Sequence, residues 1–221
     1  MNARLDHLVV VADSLDQGAA WCEATLGAAP AAGGRHPLMG THNRLLAIGG
    51  ERFPDTYLEI IAIDPDAAAP ARPRWYAMDN TALRAAVRER PRLVHAVVRT
   101  SMIEMLRWGL INCGLNPGPP IAVQRDTPRG RMAWRITVRD DGGFECAGAL
   151  PTLIEWQGAH PCDHLPASPV MLRELMLRGV PAQASQVLQL PGVQTDAAPN
   201  EGSNGTARAP LTATLDTPRG R

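Results

Sequence analysis

The chain has 221 residues and a formal net charge of zero, from 22 basic and 22 acidic side chains. That balance, with no Lys/Arg-rich run, excludes the electrostatic footprint of a nucleic-acid-binding protein. A hydrophobic fraction of 45% argues against a disordered chain, and no apolar stretch approaches the ~20 residues that a membrane-spanning helix needs.

The first residues lack the charged-then-apolar layout of a signal peptide, so a cytoplasmic protein is expected. The four cysteines, Cys22, Cys113, Cys146 and Cys162, contain no CxxC pair and are expected to be free thiols in a reducing compartment.

Residues 5–11 are short and β-branched-rich, which predicts a buried strand. Strand alternation would put His7 on the face of Leu5, Val9 and Val11. Ser14 with Gln17 reads as a capping box, and apolar positions continue at helical spacing through Trp21 to Leu26. Gly27 supplies the left-handed residue that ends a helix. Strand-like runs follow at 43–48 and 57–63, with a weaker one near 31–35. Residues 64–74 are rich in Pro and Ala and read as a linker, leading to a short helix at 82–90 that Asn80 or Thr81 would cap.

The same grammar then recurs. Residues 93–98 form a second such strand, with His95 in the place of His7, and Ser101 with Glu104 reads as a second capping box. Trp108 and Gly114 stand at the same distances from Ser101 as Trp21 and Gly27 do from Ser14. The repeat of strand, cap, tryptophan and terminator indicates an internal duplication. Strand-like runs at 121–124, 132–138 and 152–156 complete it, the first two joined by a turn that includes Arg129. Each copy reads β-α-β-β-β, and Trp21 and Trp108 are expected to pack into the core.

The organisation predicted is therefore a first module at 1–66, a linker with a short helix at 67–90, a second module at 91–160, and a β-rich segment at 161–221. Within the last, residues 170–177 fit either strand or helix, a mobile loop is expected near 191–208, and 211–215 read as a strand. Residues 217–221 repeat 127–131 word for word, which suggests a partial third module whose last strand is missing from the chain.

Four residues stand out chemically. Glu59 and Glu155 each interrupt an apolar strand, where a carboxylate is costly unless paired, protonated or bound to a cation. Each module thus offers a His on its first strand and a Glu on its last. Residues 4–160 resemble the vicinal-oxygen-chelate superfamily on this order of elements. Leu5-Asp6-His7-Leu8-Val9-Val10, Gly40-Thr41-His42-Asn43 and Tyr57-Leu58-Glu59-Ile60-Ile61 look most like its glyoxalase-like domain branch.

The resemblance implies an α+β fold in which two βαβββ modules form a curved mixed sheet around a cavity, followed by a partial third β-rich segment. It implies one divalent metal (Zn, Ni, Co, Mn or Fe) held by His7, Glu59, His95 and Glu155. Such an ion would stabilise an enediolate while a carboxylate, Glu155 in preference to Glu59, moves a proton. A set of two His and two Glu points to a lyase or isomerase acting on a small oxygenated metabolite. A non-catalytic, resistance-type binding module and an extradiol-type dioxygenase are the alternatives. The residues that would hold glutathione are not recognisable. His42 and Asn43 either line the cavity mouth and touch substrate or are turn residues, and His36, His42 and His160 are alternative ligands. The stretch from His160 to His164 matches no standard zinc spacing and reads as a surface loop. A small-molecule partner is implied, without nucleic acid or membrane, in a monomer or homodimer.

Overall fold

The computed structural model describes residues 3–127, 130–197 and 208–220. The turn position expected for Arg129, the end of the chain at Arg221, and most of the loop expected near 191–208 lie outside them. The first module contains β1 (Arg4–Val11), α1 (Leu15–Leu26), β2 (Ala31–His36), β3 (Thr41–Ala47) and β4 (Tyr57–Ile63). Helix α2 (Thr81–Glu89) follows, capped by the Asn80 side chain. The second module contains β5 (Arg92–Arg99), α3 (Ile103–Asn112), β6 (Pro120–Thr127), β7 (Gly130–Thr137) and β8 (Thr152–Gln157). Both copies are the expected βαβββ units.

The eight strands form one mixed sheet in the order β2-β3-β4-β1-β5-β8-β7-β6. In each module the first and last strands pair in parallel, β1 with β4 and β5 with β8, and the modules join through antiparallel β1 and β5. The sheet curls so far that its edge strands β2 and β6 approach each other. Gly34 on β2 lies so close to Arg125 on β6 that a Cβ there would overlap the guanidinium.

Strand alternation divides the interior in two. Leu8 and Val10 of β1 face the helices, with Ile60, Val98, Leu106 and Leu110. Val9 and Val11 face the concave side, with Ile61, Val97, Trp134 and Ile154. Leu8 is fully buried in the outer core. Leu8→Ala should cost about 2–5 kcal/mol through lost transfer energy and the cavity left behind, which urea titration of the two proteins will measure.

Residues 171–178 are strand, not helix. β9 (Met171–Arg178) pairs in parallel with β10 (Val193–Asp196) and antiparallel with β11 (Leu211–Asp216), with α4 (Ala182–Leu188) between β9 and β10. Part of the stretch expected to be a mobile loop is thus β10, fixed by its hydrogen bonds to β9. This additional sheet buries Leu172, Leu175 and Leu177 in the outer core, and its α4 packs on α3.

Two helix expectations need correction. Gly27 and Gly114 do adopt the left-handed conformation, and Ser14 accepts from the Gln17 N–H. At α3, however, the N-cap is Met102 rather than Ser101, and its side chain has no oxygen to cap the helix, while Glu104 pairs with Arg135. Trp108 is 56% exposed rather than in the core, with Arg107 stacked over its ring. All four cysteines are free, and Cys113 is half-buried at the end of α3. Among the described residues no helix is long and apolar enough to cross a membrane.

Candidate functional site

The pairing of β1 with β5 slips by one residue between Leu5 and His7. A bulge of this kind lets two successive side chains share one side of a strand. Leu5 joins the outer core, whereas Asp6 and His7 both reach the concave side. His7 therefore shares its face with Val9 and Val11 but not with Leu5.

Asp6 is completely buried. Its carboxylate lies 2.6 Å from His7 Nδ1, 3.0 Å from Trp156 Nε1 and 3.0 Å from His160 Nε2. Burial pushes its pKa up, but the hydrogen bonds from His160 and His7 outweigh that and hold it well below the usual carboxylate range. An ionised carboxylate can only accept, so His7 Nδ1 carries the proton. At His160, Nδ1 accepts from the Cys162 N–H, and Nε2 lies between Asp6 Oδ2 at 3.0 Å and Arg99 Nη1 at 3.2 Å.

With Nδ1 committed to Asp6, His7 Nε2 faces Glu59 Oε2 at 3.6 Å. Tyr57 stacks on the imidazole at 4.6 Å. Glu59 is 5% exposed, and its Oε1 accepts from Asn43 Nδ2 at 2.6 Å. Asn43 cannot turn over, because its Oδ1 accepts from the Gly34 N–H at 2.8 Å. The result is a chain from Asp6 through His7 to Glu59 and Asn43, the last three lining a small hollow. Trp75, Trp134, Trp156 and Arg125 form much of its remaining wall. His36 closes it from β2, its Nδ1 3.2 Å from Thr41 Oγ1 and its Nε2 3.5 Å from Asn43 Nδ2. Burial, helped by Arg125, holds the His36 pKa down to about 3, so it is neutral at ordinary pH.

Of the four expected ligands, the structure brings together His7 and Glu59. His95 faces a neighbouring small hollow in the second module. Its Nδ1 donates to the Gly148 carbonyl at 2.9 Å, and its Nε2 lies 2.9 Å from Thr152 Oγ1 and accepts from the Thr152 N–H. Both ring nitrogens are occupied. Glu155 lies on the other face of β8 from Ile154 and Trp156, paired with Arg135. Register explains the difference. Glu59 stands beside Val9 on the parallel partner of β1, and the residue in that place beside Val97 is Thr152. The second module keeps the histidine and replaces the carboxylate with a hydroxyl.

Among the described residues no group of three or more His, Cys, Asp and Glu is arranged to hold a metal ion. With both His95 nitrogens engaged and Glu155 across the sheet, the four-residue metal set does not fit this arrangement. His42 is on the helix side of β3, with Nδ1 3.9 Å from Asp64, while Asn43 lines the hollow. The loop at 160–164 is not a plain surface loop, since His160 packs against Asp6 and Trp156. Sequence reading passed over Asp6 and Arg125. The alternation Ile121, Val123, Arg125 along one strand face was the available sign of the second.

A family model described as "Glyoxalase-like domain" matches residues 5–190. No curated protein matches the chain. Among solved structures, a hypothetical protein from Staphylococcus aureus is similar at a TM-score of 0.53 and 16% identity, over 80% of this chain and 70% of that one. Methylmalonyl-CoA epimerase from Streptomyces coelicolor, in complex with 2-nitronate-propionyl-CoA, aligns at 0.43 and 14%, over 71% and 96%. The Mycobacterium tuberculosis epimerase aligns at 0.40 and 15%, over 71% and 88%. The Staphylococcus likeness shows the shared fold.

Proposed function

The chain belongs to the glyoxalase-like domain family, and on that premise we propose that it is a lyase or isomerase that moves a proton on a small oxygenated metabolite. The observation that carries this reading is the His7–Glu59 pair, 3.6 Å apart in the hollow and oriented by Asp6 on one side and Asn43 on the other. With Nδ1 turned to Asp6, His7 Nε2 and the Glu59 carboxylate both face the gap, which suits a group that exchanges a proton with them.

In the proposed reaction Glu59 takes a proton from a carbon next to a carbonyl. Asn43 keeps the carboxylate aimed, and Asp6 stabilises the positive charge if His7 becomes protonated. Glu59 passes the proton it has taken to His7 Nε2, 3.6 Å away, and the resulting imidazolium delivers it to the developing enediolate oxygen. The aromatic wall excludes water around the pair. The divalent ion (Zn, Ni, Co, Mn or Fe) implied by the family resemblance would find two donors here among the described residues, His7 Nε2 and Glu59.

The test is exchange of the α-hydrogen of small 2-oxo and 2-hydroxy compounds with solvent deuterium, followed by NMR with and without EDTA. Exchange that survives EDTA is the expected result. Exchange abolished by EDTA and restored by a divalent cation would overturn the assignment to side chains alone. Binding without exchange would make the protein a sequestering module, and oxygen uptake with catechols would make it a dioxygenase. Glu155→Ala should leave exchange unchanged and shift stability by no more than about 1 kcal/mol, because its ion pair with Arg135 is partly exposed.

A further inference from the structure

Arg125 on β6 shares a strand face with Val123 and points into the hollow that holds His7 and Glu59. A guanidinium drawn out of water is ordinarily paired with a carboxylate. Among the described residues, six arginines have a buried Nε without a hydrogen-bond partner: Arg44, Arg72, Arg74, Arg92, Arg99 and Arg125. The first five each reach a carboxylate through Nη, on Asp16, Asp140, Asp79, Glu89 and Asp55. Arg125 reaches none among the described residues. Its contacts are weak, 3.4 Å to Asn43 Oδ1 and 4.0 Å to Met132 Sδ.

The surroundings make room for this cation rather than neutralise it. Gly34 across the sheet seam has no side chain where the guanidinium lies. Burial lowers the Arg125 pKa, against the opposing pull of Tyr57 and Glu59, yet an arginine stays charged at any ordinary pH. The Asn43 amide touches Arg125 through Oδ1 and Glu59 through Nδ2, so one amide separates the unpaired cation from the proposed base.

We propose that the substrate is a small carboxylic acid whose carboxylate pairs with Arg125, placing the adjacent carbon beside Glu59. This deepens the proton-transfer reading and rests on it for the role of Glu59. The planar fork of one guanidinium matches one carboxylate in two parallel hydrogen bonds. A phosphate dianion would bring a second negative charge toward Glu59, and among the described residues that line the hollow Arg125 is the one arginine or lysine to meet it.

The experiment is an NMR titration of the full chain with lactate, pyruvate, their uncharged amides and methyl phosphate, using the wild type and Arg125→Gln. The acids should bind the wild type about tenfold or more tighter than the amides, as expected for a charge-assisted bidentate pair, and Arg125→Gln should remove that preference. Without ligand, Arg125→Gln should melt no lower than the wild type, since it deletes a cation that has no carboxylate partner. Equal binding of acids and amides, no binding of any probe, or an acid preference that survives Arg125→Gln overturns the proposal. Methyl phosphate binding more tightly than lactate overturns the choice of carboxylate. Deuterium exchange on the same samples separates the two readings: Arg125-dependent acid binding without exchange sinks proton transfer alone, and exchange without acid preference sinks this inference alone.

Discussion

Glu59→Gln is expected to lower the exchange rate by about 10²- to 10⁴-fold, the contribution typical of a general base, while leaving the fold intact or slightly more stable. The glutamine keeps a carbonyl oxygen for Asn43 Nδ2, which donates to Oε1 at 2.6 Å in the wild type. Its amide nitrogen then stands where Oε2 faces His7 Nε2 at 3.6 Å. That amide N–H can donate to the lone pair of a neutral His7, so the substitution keeps a partner for the ring and deletes the base in one step. Circular dichroism and thermal melting should match the wild type or shift upward. A variant that melts normally and exchanges within about threefold of the wild type, well short of what a base contributes, would remove Glu59 from the mechanism. The substitution also separates this mechanism from one built on Glu155, which lies across the sheet.

The protein is expected to lose stability steeply as pH falls below about 6.5, the ordinary histidine value. Burial holds the His36 pKa down to about 3. It likewise holds that of His95 down to about 4, despite the hydrogen bond to Gly148. Between pH 6.5 and these values the unfolded chain binds protons that the folded chain refuses. Stability therefore rises with pH in this window and falls with acid. Two such protons give a slope approaching about 3 kcal/mol per pH unit at its steepest, large beside a typical total of about 5–15 kcal/mol. Asp6 adds to the loss below about pH 4, where the unfolded carboxyl protonates and the folded one stays ionised. Urea titrations from pH 7.5 to 4.5 should show this decline, and His95→Gln should shallow it. A flat profile across that range would mean that these rings take up protons without unfolding.

The histidine and glutamate positions also show how the two copies have parted. In the first module, His7 is held by Asp6 and looks across at Glu59. In the second, His95 is held by Gly148 and looks across at Thr152. The duplication provides two hollows from one plan, and a carboxylate faces the histidine only in the first.

Read by itself, the sequence determined the duplicated βαβββ plan, because strand and helix periods, Gly27 and Gly114 are local signals that need no partner. It also singled out His7 and Glu59, since a polar side chain inside an apolar strand is a local signal, and it offered Asn43 only beside His42, as a cavity-mouth or turn residue. Only the tertiary structure decided which side of each strand those groups face. Strand parity is sensitive to single residues: a one-residue bulge at Asp6 turns its carboxylate to the concave side behind His7, and three positions between Thr152 and Glu155 put the latter on the opposite face. Arg125 escaped notice for the same reason. Its burial arises from curvature that brings β6 beside Gly34 of β2, a contact between residues distant in sequence that neither strand encodes alone.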